Sequence, residues 1–103
     1  MNERIYCGKK VILTDDGYFA EPSTWTREMA YEIAGEEKLE LTDQHFSIME
    51  FMRSKFLKGE PVSIRSINHS GIMDVKTFYR LFPGAPLKKA SKIAGLPKPS
   101  SCI

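Results

Sequence analysis

The sequence has few of the residues on which most enzyme active sites depend. Among its 103 residues there are only two histidines, His45 and His69, and two cysteines. It contains no glycine-rich phosphate loop, no HExxH motif, and no pair of carboxylates whose setting suggests raised pKa values. We therefore do not expect a conventional turnover enzyme, and we expect neither a cofactor nor a metal ion.

Long apolar runs are also missing from the chain. None approaches the roughly 18 to 20 residues that a membrane-spanning helix needs, and residues 1–8 do not resemble a signal peptide. Cys7 and Cys102 lie near opposite ends of the chain without metal-ligand spacing, so neither a zinc site nor a disulfide framework is indicated. We expect a cytoplasmic protein with reduced thiols.

What the chain does contain is enough apolar material for one small folded domain. Hydrophobic residues make up 42% of it and aromatic residues 11%, which is more than disordered chains show. The net charge of +2 conceals an asymmetry: residues 1–51 carry 5 basic and 11 acidic side chains, and residues 52–103 carry 10 and 2. The basic half could attract tRNA or an acidic protein face, or it could be solvated surface that balances the acidic half.

Local patterns predict a mainly α (α+β) fold: a small helical bundle, winged-helix-like, with an N-terminal β-hairpin and a flexible C-terminal arm. The hairpin is predicted at about 11–19, because Asp16-Gly17 favours a tight reversal between two apolar stretches. A first helix should run to about residue 37, capped by Ser23 or Thr24, with Trp25, Met29 and Ile33 on one apolar stripe.

Four further helices are predicted along the rest of the chain. Thr42 should cap a helix to about residue 58 that buries Phe46, Met49, Met52 and Phe56, and Arg53 suits its C-terminal end. A short helix at about 63–68 and another capped by Asp74 follow. Pro86 suits the first turn of a last helix, at about 87–94.

The remaining candidates for chemistry have ordinary structural explanations. His45 lies in the first turn of a helix, where packing or capping is its expected role, and His69 is expected to be a surface residue. The segment 63–81 resembles a helix-turn-helix with Lys76 and Arg80 on its second helix. We predict that Val75, Phe78, Tyr79 and Phe82 of that helix face the core, which leaves few side chains to read DNA bases.

The end of the chain is different in kind. Gly95 is placed like the residue that terminates a helix, and Pro97 and Pro99 cannot continue one. We therefore predict a helical body at 1–95 and a flexible arm at 96–103 that carries Cys102, whose sulfur could stand ~20 Å from the helix end. Cys7 is expected to be a packing or exposed residue rather than a redox partner of Cys102.

Several motifs at this end and upstream resemble the TusE/DsrC family of sulfur-carrier proteins, and the resemblance covers nearly the whole chain. The C-terminal motifs are the specific ones: Tyr79-Arg80-Leu81-Phe82-Pro83, Lys92-Ile93-Ala94-Gly95-Leu96-Pro97-Lys98-Pro99, and the penultimate Cys102. The upstream motifs support them: Asp16-Gly17-Tyr18, Pro22-Ser23-Thr24-Trp25, and Leu41-Thr42-Asp43-Gln44-His45-Phe46. Between Pro61 and Tyr79 the chain is several residues shorter than a typical TusE.

The resemblance implies that Cys102 carries sulfur as a persulfide, so the protein would be a sulfurtransferase-type carrier. DsrC proteins proper have a second cysteine in the last helix, and the matching position here is Ser91. This favours the single-cysteine TusE-like branch, with a TusBCD-like sulfur donor complex and an MnmA-like tRNA thiouridylase that 2-thiolates the wobble uridine of tRNA. The alternative is a single-cysteine, DsrC-like regulatory or DNA-binding protein linked to sulfur metabolism, with dissimilatory sulfite reductase or DNA as its partner.

Overall fold

The computed structural model of the protein describes residues 1–99, so the predictions that fall on residues 100–103, Cys102 among them, lie outside the described residues. Two strands are followed by a 3-10 helix and five α-helices. The elements are β1 Asn2–Tyr6, β2 Lys9–Leu13, the 3-10 helix Pro22–Thr24, α1 Arg27–Glu36, α2 Asp43–Leu57, α3 Ile64–His69, α4 Val75–Leu81 and α5 Pro86–Ile93. The predicted fold class, a helical bundle with an N-terminal hairpin, is confirmed.

The hairpin itself lies earlier than predicted. Strands β1 and β2 pair antiparallel from Asn2 opposite Leu13 to Tyr6 opposite Lys9. Cys7 and Gly8 form the reversal, with φ of 52° and 75°, the positive angles that a two-residue hairpin turn requires. Strand β1 was not predicted from the sequence. Tyr6 is its only buried residue, so its sequence lacks the alternation of apolar and polar side chains that indicates a strand.

The turn predicted at Asp16-Gly17 does exist, although it does not join two strands. The Thr14 N–H donates to the Tyr18 carbonyl at 2.7 Å, and Gly17 has φ of 88°. Beyond this turn the chain makes one isolated bridge, between Leu13 and Phe19. The prediction of a hairpin at about 11–19 is therefore correct about the chain reversal. It is wrong about the partner of β2, which pairs with β1 and not with the segment that follows the turn.

Helix α1 begins later than its sequence suggested. Ser23 and Thr24 belong to the preceding 3-10 helix, and the N-cap of α1 is Thr26. Pro22 explains the difference, because a proline at the first position favours the tight 3-10 turn and the chain must re-enter extended backbone before a new helix starts. The predicted apolar stripe is otherwise confirmed by burial of Met29 and Ile33.

The caps predicted for α2 and α4 are confirmed. The Thr42 side chain caps α2 in a reciprocal capping box with His45, and the Asp74 carboxylate accepts from the Thr77 N–H at 2.9 Å. Two burial predictions were wrong. Phe56 is 37% exposed and Tyr79 is 41% exposed. Phe56 lies in the last turn of α2, beyond the buried part of that helix, and Tyr79 is one position after the buried Phe78, about 100° further round α4.

Helix α5 is the centre of the bundle, since α1, α2 and α4 all contact it. Its Leu87, Ala90 and Ile93 side chains are fully buried. Because α5 is the last helix, the core holds the segment from which the predicted arm continues. The bundle therefore fixes where that arm begins.

Candidate functional site

We call residues 94–99 the arm root, the segment that follows α5 and leads to the undescribed residues. Its first turn is a Schellman motif, in which the Gly95 N–H donates to the Lys92 carbonyl at 3.2 Å and the Leu96 N–H to the Ser91 carbonyl at 2.9 Å. Gly95 has φ of 69°, a left-handed angle that glycine adopts without strain. The prediction that Gly95 terminates the last helix is confirmed.

The Arg53 side chain of α2 donates to three backbone carbonyls, two of which belong to the arm root. Its Nη1 donates to the carbonyls of Ala94 at 2.8 Å and Gly95 at 3.3 Å, and its Nη2 donates to the carbonyl of Pro22 at 2.9 Å. Burial lowers the pKa of Arg53, yet a guanidinium stays protonated at neutral pH. The sequence had suggested only that Arg53 suits the end of α2, and no local pattern could show these distant acceptors.

Trp25 completes this attachment from the other side. Its indole N–H donates to the Ile93 carbonyl at 2.8 Å, and the Arg53 guanidinium carbon lies 4.4 Å from the centre of its ring. Trp25 was predicted to belong to the stripe of α1, whereas it lies in extended backbone before that helix. The single tryptophan of the sequence thus contacts the end of α5 and Arg53 together.

At least one residue of the arm root, Leu96, packs into the helical body. Leu96 is 3% exposed and packs in the hydrophobic core, so the predicted boundary at 95/96 is wrong by at least this residue. A leucine has too much apolar surface to remain in water when the capping turn directs it inward. Further along, the Lys98 ammonium lies 3.4 Å from the Asp16 carboxylate, an exposed pair of small energetic weight.

A shallow cavity of about 200 Å³ lies beside the arm root. Its lining is mostly apolar and includes Phe56, Val62, Ser91, Leu96, Pro97 and Pro99. Ser91 lines the cavity and is itself only 2% exposed. The residue that the sequence singled out is therefore close in space to the start of the arm.

Cys7 is exposed at the reversal of the hairpin, which agrees with one of its two expected settings. Its backbone N–H donates to the Glu32 carboxylate. Hydrogen bonding to Glu32, desolvation, and the negative charges of Glu32 and Glu28 raise the pKa of the Cys7 thiol. A raised pKa leaves a smaller fraction of the thiol as the reactive thiolate at neutral pH.

The two histidines have the structural roles that the sequence predicted. The Thr42 N–H donates to His45 Nδ1 at 3.0 Å, so the proton of the neutral ring must lie on Nε2, which faces the Leu81 carbonyl at 2.9 Å. His45 is buried and joins the start of α2 to the end of α4. His69 is exposed at the last position of α3.

Residues 1–99 contain neither a metal-binding cluster nor a membrane-spanning helix. No group of three or more His, Cys, Asp or Glu side chains within that range could hold a metal ion. Over the same range, no helix is both long enough and apolar enough to cross a membrane.

The last helix of the described residues, α5, ends in a capping turn and leads into the arm root. The family model described as "DsrC like protein" matches residues 6–103. The chain therefore belongs to the DsrC-like family, and the resemblance found in the sequence is confirmed.

Within that family, the chain is similar to proteins named Sulfurtransferase TusE. The chain is 38% identical over 103 residues to Sulfurtransferase TusE of Buchnera aphidicola subsp. Schizaphis graminum, covering 92% of this chain and 90% of that protein. It is 36% identical over 107 residues to Sulfurtransferase TusE of Escherichia coli K12, covering 96% and 98%. These relatives support sulfur relay as the function class.

Solved structures agree with the fold. The NMR structure of Allochromatium vinosum DsrC matches with a TM-score of 0.85 and 28% identity over 99% of this chain and 98% of that one. The oxidized γ-subunit of dissimilatory sulfite reductase (DsrC) from Archaeoglobus fulgidus matches with a TM-score of 0.83 and 30% identity over 99% and 100%.

Proposed function

We propose that this protein is a sulfur carrier that accepts sulfur as a persulfide on Cys102 and passes it to an acceptor, in the route to 2-thiolation of the wobble uridine of tRNA. The observation that carries the proposal is the similarity to TusE proteins over nearly all of the chain. The architecture supports it, because a firmly capped helix leads into a short segment that ends near a thiol.

The chemistry is nucleophilic exchange at sulfur. The Cys102 thiolate attacks the terminal sulfur of a donor persulfide, the donor's sulfur–sulfur bond breaks, and the donor leaves as a thiolate. In the second step an acceptor thiolate attacks the terminal sulfur of the Cys102 persulfide, and Cys102 leaves as a thiolate. One sulfur–sulfur bond breaks for each one that forms, so neither step needs an external oxidant or reductant.

Ser91 supports a cycle that uses one thiol. A serine hydroxyl does not form a bond to sulfur in this chemistry, so an intramolecular disulfide or trisulfide at this position is excluded. Cys7 does not occupy the position of the second cysteine of DsrC proteins proper, because it lies in the turn of the N-terminal hairpin and not in α5. The sulfur on Cys102 would therefore leave by transfer to another protein.

The proposed partners are a TusBCD-like donor complex and an MnmA-like thiouridylase, with tRNA as the final acceptor. The charge of the described chain supports docking to an anionic surface, because between residues 61 and 99 Asp74 is the single acidic residue against seven basic ones. Those basic residues are Arg65, Lys76, Arg80, Lys88, Lys89, Lys92 and Lys98.

The test is reconstitution of the whole relay. Donor complex, thiouridylase and tRNA are incubated with the wild-type protein, with Cys102→Ser, or with a variant lacking residues 100–103, and 2-thiouridine is measured by mass spectrometry of the nucleosides. We expect wild type to support thiolation and both variants to fall to the level without carrier. Thiolation that survives either change would contradict the proposal.

A second candidate, a DNA-binding regulator, is favoured by one observation. Tyr79, which was predicted to be core, is 41% exposed on α4, and Lys76 and Arg80 are exposed on the same helix. This candidate predicts binding to duplex DNA that falls steeply with salt and is unchanged in Cys102→Ser. Binding that is absent at low salt would exclude it.

A further inference from the structure

We infer that Arg53 is a positioning residue, which together with Trp25 sets the direction in which the chain leaves the end of α5. The inference rests on the proposed function only for its consequence in sulfur transfer. Its structural content concerns the arm root, residues 94–99, and stands independently of what Cys102 does.

Arg53 ties together segments that are distant in the sequence. Its two terminal nitrogens bond the carbonyls of Ala94, Gly95 and Pro22, so α2, the end of α5 and the segment before α1 meet at one guanidinium. Two of the three acceptors belong to the arm root itself. A bond to residue 95 restrains the orientation of the peptide unit that precedes Leu96, and this orientation sets the course of the following residues.

Trp25 restrains the same point by two further contacts. Its indole N–H bonds the Ile93 carbonyl at 2.8 Å, one residue before the arm root. The face of its ring supports the Arg53 guanidinium at 4.4 Å, an arrangement in which a desolvated cation is attracted to the aromatic quadrupole. The capping turn is thus held from the side of α2 and from the side of Trp25.

A lysine could not perform this task. The planar guanidinium offers donors in a fixed fork and can lie flat on the indole, whereas an ammonium is a compact point charge that forms its bonds without a fixed plane. The two carbonyls at the end of α5 and the Pro22 carbonyl need donors in two directions at once. Arg53→Lys therefore keeps the charge and removes the orientation.

We expect loss of the Arg53 contacts to impair sulfur transfer from a protein partner more than transfer from a small reagent. A persulfide donor of low molecular weight can reach the Cys102 thiol however the arm is directed. A protein partner that docks on the body must meet the thiol at a defined place, so its reaction depends on that direction. Loss of the Arg53 contacts should raise the apparent KM with the protein partner more than it changes the reaction with inorganic polysulfide.

The first experiment measures the arm root directly and does not depend on the proposed function. Backbone ¹⁵N order parameters of the Leu96 and Lys98 amides are compared between wild type and Arg53→Lys, with α2 amides as an internal reference. We expect both order parameters to fall in the variant while those of α2 are unchanged. Unchanged values at Leu96 and Lys98 would overturn the inference.

The matched control is Arg27→Lys. Arg27 also lies over an aromatic ring, with its guanidinium carbon 3.9 Å from the centre of Phe46. It is more exposed than Arg53 and pairs with Glu50 rather than with a residue of the arm root. It should leave Leu96 and Lys98 as in wild type. Equal effects of the two variants would assign the change to general loosening and overturn the inference.

The second experiment measures transfer. Rates of sulfur loading from polysulfide and from the donor complex are compared for wild type, Arg53→Lys and Trp25→Phe, which keeps the aromatic surface and loses the bond to the Ile93 carbonyl. We expect loading from polysulfide within about twofold of wild type, and a KM for the donor complex raised about tenfold, a change that corresponds to roughly 1.4 kcal/mol. Equal losses with both donors would overturn the positioning role, and absence of loading in wild type would instead overturn the proposed function.

Discussion

The indole of Trp25 occupies the space that a side chain on residue 95 would need. A Cβ on Gly95 would lie 2.3 Å from two atoms of the Trp25 ring, far inside van der Waals contact. The glycine is required twice, once for its left-handed φ of 69° and once for this close approach. The end of α5, and with it the start of the arm, is therefore specified by a pair of residues that are 70 positions apart in the sequence.

This relationship predicts a large effect of Gly95→Ala. The left-handed angle alone costs an alanine roughly 1–2 kcal/mol, and displacing the indole should add an overpacking cost of about 1–3 kcal/mol. The matched control is Gly71→Ala, because Gly71 has φ of 77° and a Cβ there would meet no atom within 4 Å. Denaturant unfolding should show a loss for Gly95→Ala about twice that of Gly71→Ala; equal losses would contradict the close approach to Trp25.

The tautomer of His45 gives a second prediction. In the neutral ring the proton must lie on Nε2 because Nδ1 accepts the Thr42 N–H, so ¹⁵N spectra of the neutral form should show a pyridine-like Nδ1 and a pyrrole-like Nε2. Loss of the cap and of the bond to the Leu81 carbonyl in His45→Leu should destabilise the fold by about 2–3 kcal/mol. The opposite tautomer, or a neutral effect of the substitution, would contradict the arrangement.

Tyr6 predicts a dependence of stability on alkaline pH. Burial and the hydrogen bond to Glu36 raise the pKa of Tyr6 from 10.0 to about 12. A raised folded-state pKa means that its stabilising contribution is complete below pH 10 and is lost as the pH rises towards 12. The stability gap between wild type and Tyr6→Phe should be constant from pH 7 to 9 and should shrink above pH 10, by at most about 3 kcal/mol.

The exposed Tyr31 supplies the control for this titration. Tyr31→Phe removes the same hydroxyl from an exposed ring on α1, so it reports the effect of losing a tyrosine hydroxyl that is not buried. A Tyr6→Phe gap that is flat over pH 10 to 12 would contradict the raised pKa.

Ser91 gives a prediction about the reach of the chain beyond residue 99. Ser91 and Pro99 line the same cavity, so a thiol at position 91 lies near the start of the undescribed residues. Oxidised Ser91→Cys should form an intramolecular disulfide with Cys102, seen as a loss of two hydrogens by mass spectrometry, and the double variant with Cys102→Ser should not. A reduced thiol that persists under oxidation would show that the two sulfurs cannot reach disulfide geometry.

Local sequence patterns predicted most of the helical framework. The Thr42 and Asp74 caps and the Gly95 terminator each depend on a few neighbouring residues, and such signals can be read without knowledge of the fold. The stripe of Met29 and Ile33 has the same local basis. These elements were therefore placed correctly to within one or two residues.

The parts that sequence reasoning missed depend on contacts between distant segments. Strand β1 forms because it pairs with β2, and its own sequence does not alternate between apolar and polar residues. From the sequence, Arg53 is predicted only to be a cation at the end of a helix. Its three carbonyl acceptors lie 31 to 42 positions away, so no local pattern indicates them. Tyr79 follows the apolar pattern of α4, yet it is one position after the fully buried Phe78 and so points to a different side of the helix.

The proposal that Cys102 carries sulfur as a persulfide is tested most directly by locating the site of sulfur attachment. Wild type, Cys102→Ser and Cys7→Ser are incubated with a persulfide donor, and the added sulfur is located by mass spectrometry of the intact proteins and their peptides. We expect one added sulfur, on the peptide that contains Cys102, in wild type and in Cys7→Ser, and none in Cys102→Ser. Sulfur that remains on Cys102→Ser, or that requires Cys7, would contradict it.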